Sequence, residues 1–262
     1  MSKVIVVIRE GGEEKWDTYL SCVLNTVKSV MDDLFQKTAC KDIHVEYSKD
    51  YPMLVVGKNK NEEYYTILLS ARECYWCQFI YQFAHEYCHI LIGTEKTYFL
   101  CADGKYHFMW LEEALCQLAS LDVLRHVIET KATELFDDKY QKEMDDWLNE
   151  EIGKLSRATD FKKWFTDNYE VLSSDYKRDY STNAKINDHD AVRKRGEVVL
   201  AALLPHTQDP KFWALIGKLE GLQPFLGSAK LCILLQSLYA VVREDDALVR
   251  CLNSIQNTLS TN

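Results

Sequence analysis

Five residues, His85-Glu86-Tyr87-Cys88-His89, constrain this chain more than any other stretch. They read H-E-x-x-H. Side chains four apart on a helix lie one above the other on one face. His85 and His89 can therefore offer two imidazole nitrogens to one ion. Zinc takes such ligands tetrahedrally, and a catalytic site leaves one position for water. Glu86, one step round the helix, can reach that water and take its proton as a carbonyl is attacked. The same helix carries Trp76, Phe79, Ile80, Phe83 and Ala84, so it is expected to be buried. Two imidazoles and a carboxylate are costly in such a setting unless they are paired, and a zinc ion would pair them.

The motif helix is expected over residues 71–92. Ser70 reads as its N-cap, Glu73 as the capping-box partner and Gly93 as the C-cap. Ahead of it, residues 3–9 read as a strand closed by Gly11-Gly12. Residues 13–36 show helical periodicity from Trp16 to Phe35. Short β-like runs follow at 43–47, 53–56 and 64–69, with turn-like segments at 49–50 and 58–61. Small neighbouring strands joined by short turns suggest a mainly antiparallel sheet. Beyond the motif, Asp103-Gly104 is a turn signal. Helices are then expected at 110–127, 134–154, 161–169, 191–204 (up to Pro205), 211–219, 228–242 and 245–259, with a polar stretch at 175–190. The fold class is α+β. Residues 1–93 form a mixed subdomain ending in the motif helix, residues 94–262 a helical subdomain, and the two make one catalytic unit.

Composition narrows the partners. With 262 residues and 47% apolar content the chain can bury a real core. A net charge of −9 weighs against a nucleic-acid binder that tracks phosphates. No apolar run approaches the ~18 residues of a membrane span, and the apolar start is too short for a signal peptide. Nine cysteines, an odd number without framework spacing, read as reduced thiols in the cytoplasm. Cys74 and Cys77 form a lone C-x-x-C inside a helix and read as ordinary thiols, and Cys88 as a small core hydrophobe. His107 and His126 read as surface or packing residues, and Arg193 to Arg195 as a solvated helix face.

Two histidines do not complete a catalytic zinc site. The segment Trp110-Leu111-Glu112-Glu113-Ala114 offers the best third ligand, a glutamate on a second helix packed against the first. Acidic residues in a first helical turn are also favoured by the helix dipole, with no metal involved. At these residues the chain resembles the gluzincin metallopeptidases, the group of thermolysin and the zinc aminopeptidases. The latter carry Trp-Leu-x-Glu-Gly/Ala a couple of dozen residues after the second histidine, and its glutamate is the ligand. The resemblance implies Glu113, at an offset of 113 − 89 = 24, slightly long for the group. Glu112 is one register step away. A metzincin reading, H-E-x-x-H-x-x-G-x-x-H, would use Glu95, but it puts Ile92 at the glycine and Gly93 one residue late. That glycine is what turns the metzincin chain back to the metal.

The resemblance implies a zincin-like fold and a zinc-dependent peptidase acting on a peptide or protein substrate. Zn2+ would be held by His85, His89 and Glu113, with Glu86 as general base. It also implies a Tyr or His from the second part that stabilises the oxyanion. In aminopeptidases that Tyr directly precedes a Lys-Gly pair on a helix. Here Arg193 stands in its place, so Tyr180 and His189, with Tyr176, are the candidates upstream. The aminopeptidase segment Gly-x-Met-Glu-Asn is missing, and residues 66–70 occupy its region, so aminopeptidase activity is not implied. Gln117, one turn after Glu113, could orient that carboxylate. The strand at 64–69 is expected to hold an extended peptide by β-addition. The competing reading is a catalytically silent zincin fold that binds a partner protein and keeps its metal for structure.

Overall fold

The computed structural model describes residues 2–6, 14–55, 64–72, 75–93, 108–130, 136–175, 189–222 and 230–259. Gly11-Gly12, the turns at 58–61 and Asp103-Gly104, and Glu73, Cys74, Glu95, His107, Tyr176 and Tyr180 lie outside these residues. Among the described residues no helix is long and apolar enough to cross a membrane. Contacts group the chain into two compact units, residues 1–91 with 119–153, and residues 92–118 with 154–262.

The first unit holds a four-stranded sheet of β1 (Val4–Val6), β2 (Asp42–Tyr47), β3 (Met53–Val55) and β4 (Tyr64–Leu69), in the order β1-β2-β4-β3. Neighbours β1, β2 and β4 run parallel, and β3 alone is antiparallel, on the far side of β4. The sheet is thus mixed, not mainly antiparallel. The helix α1 (Glu14–Phe35) explains the difference. A crossover helix carries the chain back to the end where β1 began, so β2 enters parallel to it. Of the short connections, only β3 to β4 makes a hairpin pair. Leu54, Ile43, Val45, Ile67 and Leu69 are buried, the apolar half of the alternation. Strand β3 covers residues 66–68 of β4 on the side away from β2, so that part of β4 has no open edge for the β-addition expected at residues 64–69.

Helix α1 is fastened to β1 by Asn25. Val4 donates its N–H to Asn25 Oδ1, and Asn25 Nδ2 donates to Val4 O, both at 3.1 Å. The helix ends at Gln36, whose φ of 52° is left-handed. That conformation costs a residue with a Cβ roughly 1–2 kcal/mol. Gln36→Gly is expected to stabilise the fold by about 1 kcal/mol in denaturant titration, after glycine's own entropy cost.

The first unit continues with α2 (Trp76–Ile92), takes up the later part of α3 (Met109–Thr130) and ends with α4 (Asp138–Gly153). Helix α2 carries the H-E-x-x-H residues. It begins at Trp76, not at residue 71, and Ser70 is not its N-cap. Instead Ser70 and Ala71 donate their N–H groups to Gln82 Oε1 at 2.9 and 3.0 Å, and Gln82 Nε2 donates to Ser70 Oγ at 3.1 Å. The leading amide of α2, from Trp76, donates to the Tyr140 hydroxyl of α4 at 2.9 Å. At the other end Gly93 has φ 82°, the C-cap that the sequence suggested. The Lys37 ammonium donates to Leu91 O in the last turn, where a cation also meets the helix dipole favourably.

Tyr87 points away from His85, about 200° round the helix. It is fully buried. Its hydroxyl donates to Asp32 and accepts the Ala39 N–H at 3.2 Å. Buried Lys28 donates to the same Asp32 and, at 2.9 Å, to Thr38. Burial first, and the Asp32 carboxylate second, push the Tyr87 phenol well above its ordinary range, so it stays a donor. Tyr87→Phe is expected to lower stability by about 1–3 kcal/mol in a thermal melt, because it leaves the buried Ala39 N–H without its acceptor and takes one donor from Asp32.

The second unit is helical among its described residues. It contains the opening turns of α3, then α5 (Phe161–Asp175), α6 (His189–Leu203), a 3-10 turn through Pro205 (Leu204–Gln208), α7 (Phe212–Ile216), α8 (Leu231–Val242) and α9 (Asp246–Leu259). Trp110 is fully buried, with ring contacts to Phe165 at 5.5 Å and Tyr169 at 6.2 Å. Leu111 and Leu115 line an all-apolar cavity with Leu203, Phe212, Leu235 and Leu252. These contacts anchor the start of α3 by its apolar side.

Candidate metal centre

Two neighbouring helices supply the cluster. His85 and His89 stand one turn apart on α2, their ring centroids 5.1 Å apart and their planes at 71°. His89 is buried and His85 half-buried. Helix α3 is bonded to α2 where Ser120 Oγ donates to Tyr81 O at 2.9 Å. From that bond His85 and His89 lie four and eight residues onward along α2, and Glu113 seven residues back along α3. One ligand atom from each lies within 4.8 Å of the others. Trp110 and Leu111 anchor this end of α3, and Ala114 beside them is buried.

Glu112 is completely buried and lies about 100° round α3 from Glu113. The cluster takes Glu113, which is half-buried, and leaves Glu112 out. Gln117 sits one turn beyond Glu113, half-buried.

Glu86 is 5% exposed. Its Oε2 accepts the backbone N–H of Leu54, in the outer strand β3, at 2.6 Å. Gln82, one turn earlier on α2, holds the two amides after β4 in the same way. Two polar side chains on one side of α2 thus grip main-chain donors at the margin of the sheet. Sequence reading missed this contact, because nothing in a leucine side chain announces where its amide points. The Gln82–Glu86 spacing of four was the only available signal.

The remaining candidates separate cleanly. His189 opens α6, but its side chain, like all of Tyr180, is outside what is described. The Cys77 thiol is pushed up from its ordinary range, chiefly by burial, which is the behaviour of a packing thiol and not of a reactive one. Cys88 is fully buried, as a core hydrophobe should be. Among the described residues there is no disulfide. Arg193 is exposed and pairs with Glu197 at 3.4 Å, as on a solvated helix face.

Set against family models, curated proteins and solved structures, the chain matches none of them.

Proposed function

We propose that the protein is a zinc-dependent peptidase with a zincin-like fold and a gluzincin-type ligand set. The convergence of His85, His89 and Glu113, with Glu86 on the adjoining side of the same helix, is the observation that carries this reading. The donor set suits the ion. Two imidazoles and a carboxylate are borderline-soft and hard ligands that zinc accepts together, and three protein donors leave one position for water. Burial of these groups on apolar helices also supports a cation there, since it offsets what their desolvation costs.

When bound, zinc would act as a Lewis acid toward a peptide carbonyl and make the attacking water more acidic. The chain's own residues do the rest. Glu86 takes the proton from that water through the oxygen not held by Leu54, and returns it to the departing amine. His85, His89 and Glu113 hold the ion, and Gln117 is placed to steady the Glu113 carboxylate. The substrate is a peptide or protein. Reduced thiols fit a cytoplasmic setting.

Elemental analysis of the purified protein, followed by digestion of a peptide library, tests the proposal. The expected result is about one zinc per chain and cleavage that a chelator stops and added zinc restores. Zinc without cleavage would leave the silent, partner-binding reading in its place. Absence of zinc under loading conditions would overturn both.

A further inference from the structure

We propose that the backbone amide of Leu54 positions Glu86 for proton transfer, so that the outer strand β3 is part of the site through its main chain. This rests on the peptidase reading given above, but the contact itself does not. Four observations lead to it. The Leu54 N–H goes to Glu86 Oε2 at 2.6 Å, so it is spent on a carboxylate and not on strand pairing. Among the described residues, strand β3 lies at one margin of the sheet and pairs with β4 alone. Both residues are buried, Leu54 at 7% and Glu86 at 5% exposure. Lastly, Gln82 fixes the neighbouring turn of α2 to the end of β4, so helix and sheet are joined at two points on one side.

A hydrogen bond to an ionised carboxylate is stronger than a neutral one, and burial strengthens it further. It also settles what the side chain alone leaves loose. The last torsion of a glutamate is broad and roughly two-fold, so an untethered carboxylate samples many orientations. A general base must sit within hydrogen-bond reach of the proton it takes. Fixing Oε2 on a strand amide holds Oε1 in one direction. Leu54 acts here through Glu86 and touches no reacting atom, so it is a positioning residue and not a catalytic one.

Leu54→Pro removes the amide hydrogen at a place where an outer strand tolerates proline. Zinc content is expected to be unchanged, kcat to fall roughly 10–100-fold as for other groups that orient a working side chain, and KM to stay within about two-fold. Met53→Ala, which trims the same strand without touching the amide, is expected to keep kcat. Should the proline variant fold poorly, replacing Leu54 by its α-hydroxy acid removes the same N–H without altering the backbone torsions. Hydrogen exchange gives a readout independent of turnover. The Leu54 amide is expected to be protected in zinc-free and zinc-loaded protein, and to lose that protection in Glu86→Ala while the Ile67 amide keeps its own. An unprotected Leu54 amide, or one indifferent to Glu86→Ala, would overturn the proposal. So would a kcat unchanged on removing the N–H. If no peptide is cleaved by the unaltered protein, the peptidase reading fails, and the exchange result still decides whether Leu54 holds Glu86.

Discussion

Glu86→Gln is expected to keep zinc and the fold while cutting kcat by at least 10²–10⁴-fold, the usual contribution of a general base. Glutamine has nearly the shape of glutamate, and its carbonyl oxygen can still accept the Leu54 N–H that Glu86 Oε2 accepts now. The tether to β3 thus survives and the helix has no reason to move. What disappears is the capacity to take a proton, because an amide is not basic near neutral pH. Zinc content by elemental analysis and turnover of a cleaved peptide measure the two halves separately. Loss of zinc in this variant would make Glu86 a ligand and overturn the roles assigned to the motif. Unimpaired turnover would place the base elsewhere.

The second large effect concerns the ligands. His85→Ala, His89→Ala and Glu113→Ala are each expected to weaken zinc binding beyond the roughly 10–100-fold that loss of a merely supporting group costs. Each removes one of three donors that lie within 4.8 Å of one another. Glu112→Ala is the informative contrast. Its carboxylate is fully buried but lies outside the cluster, so the substitution is expected to change stability and to leave zinc affinity nearly intact. Competition against a chelator of known affinity reads the dissociation constants, and a denaturation curve reads the stability. Retention of zinc by Glu113→Ala together with its loss in Glu112→Ala would exchange the two residues. The metal site itself would remain standing.

Much of this arrangement was legible in the chain because it depends on helical spacing. A spacing of four from His85 to His89 puts both on one side of α2, and Gly93 marked where that helix stops, at φ 82°. The segment at Trp110 pointed to a second buried helix bearing a glutamate. Sheet order was harder to read. Short turns between strands suit hairpins, yet β2 pairs with β4, because pairing depends on which apolar faces meet and not on which runs are adjacent in sequence. The start of α2 was misread for a related reason. Ser70 had the chemistry of a cap, but Gln82 claims its amide and the Tyr140 hydroxyl serves Trp76. Both partners are remote in sequence, so no local pattern could reveal them. The network of Lys28, Asp32 and Tyr87 is half legible. The first two are four apart on α1, whereas Tyr87 joins them only through tertiary packing.

The clamp of Asn25 on Val4 has a consequence for how copies of this chain meet. A sheet whose outer strands present open N–H and C=O groups is a template on which a second sheet can build. At one margin, Asn25 occupies both main-chain groups of Val4. At the other, Leu54 has given its amide to Glu86, and Pro52, two residues earlier, has none to give. Among the described residues, neither margin offers a neighbour the full alternation of donor and acceptor that strand-to-strand zippering requires. Asn25→Ala would uncover one margin while leaving the metal cluster untouched, and turn a sheet that now ends into one that can be extended.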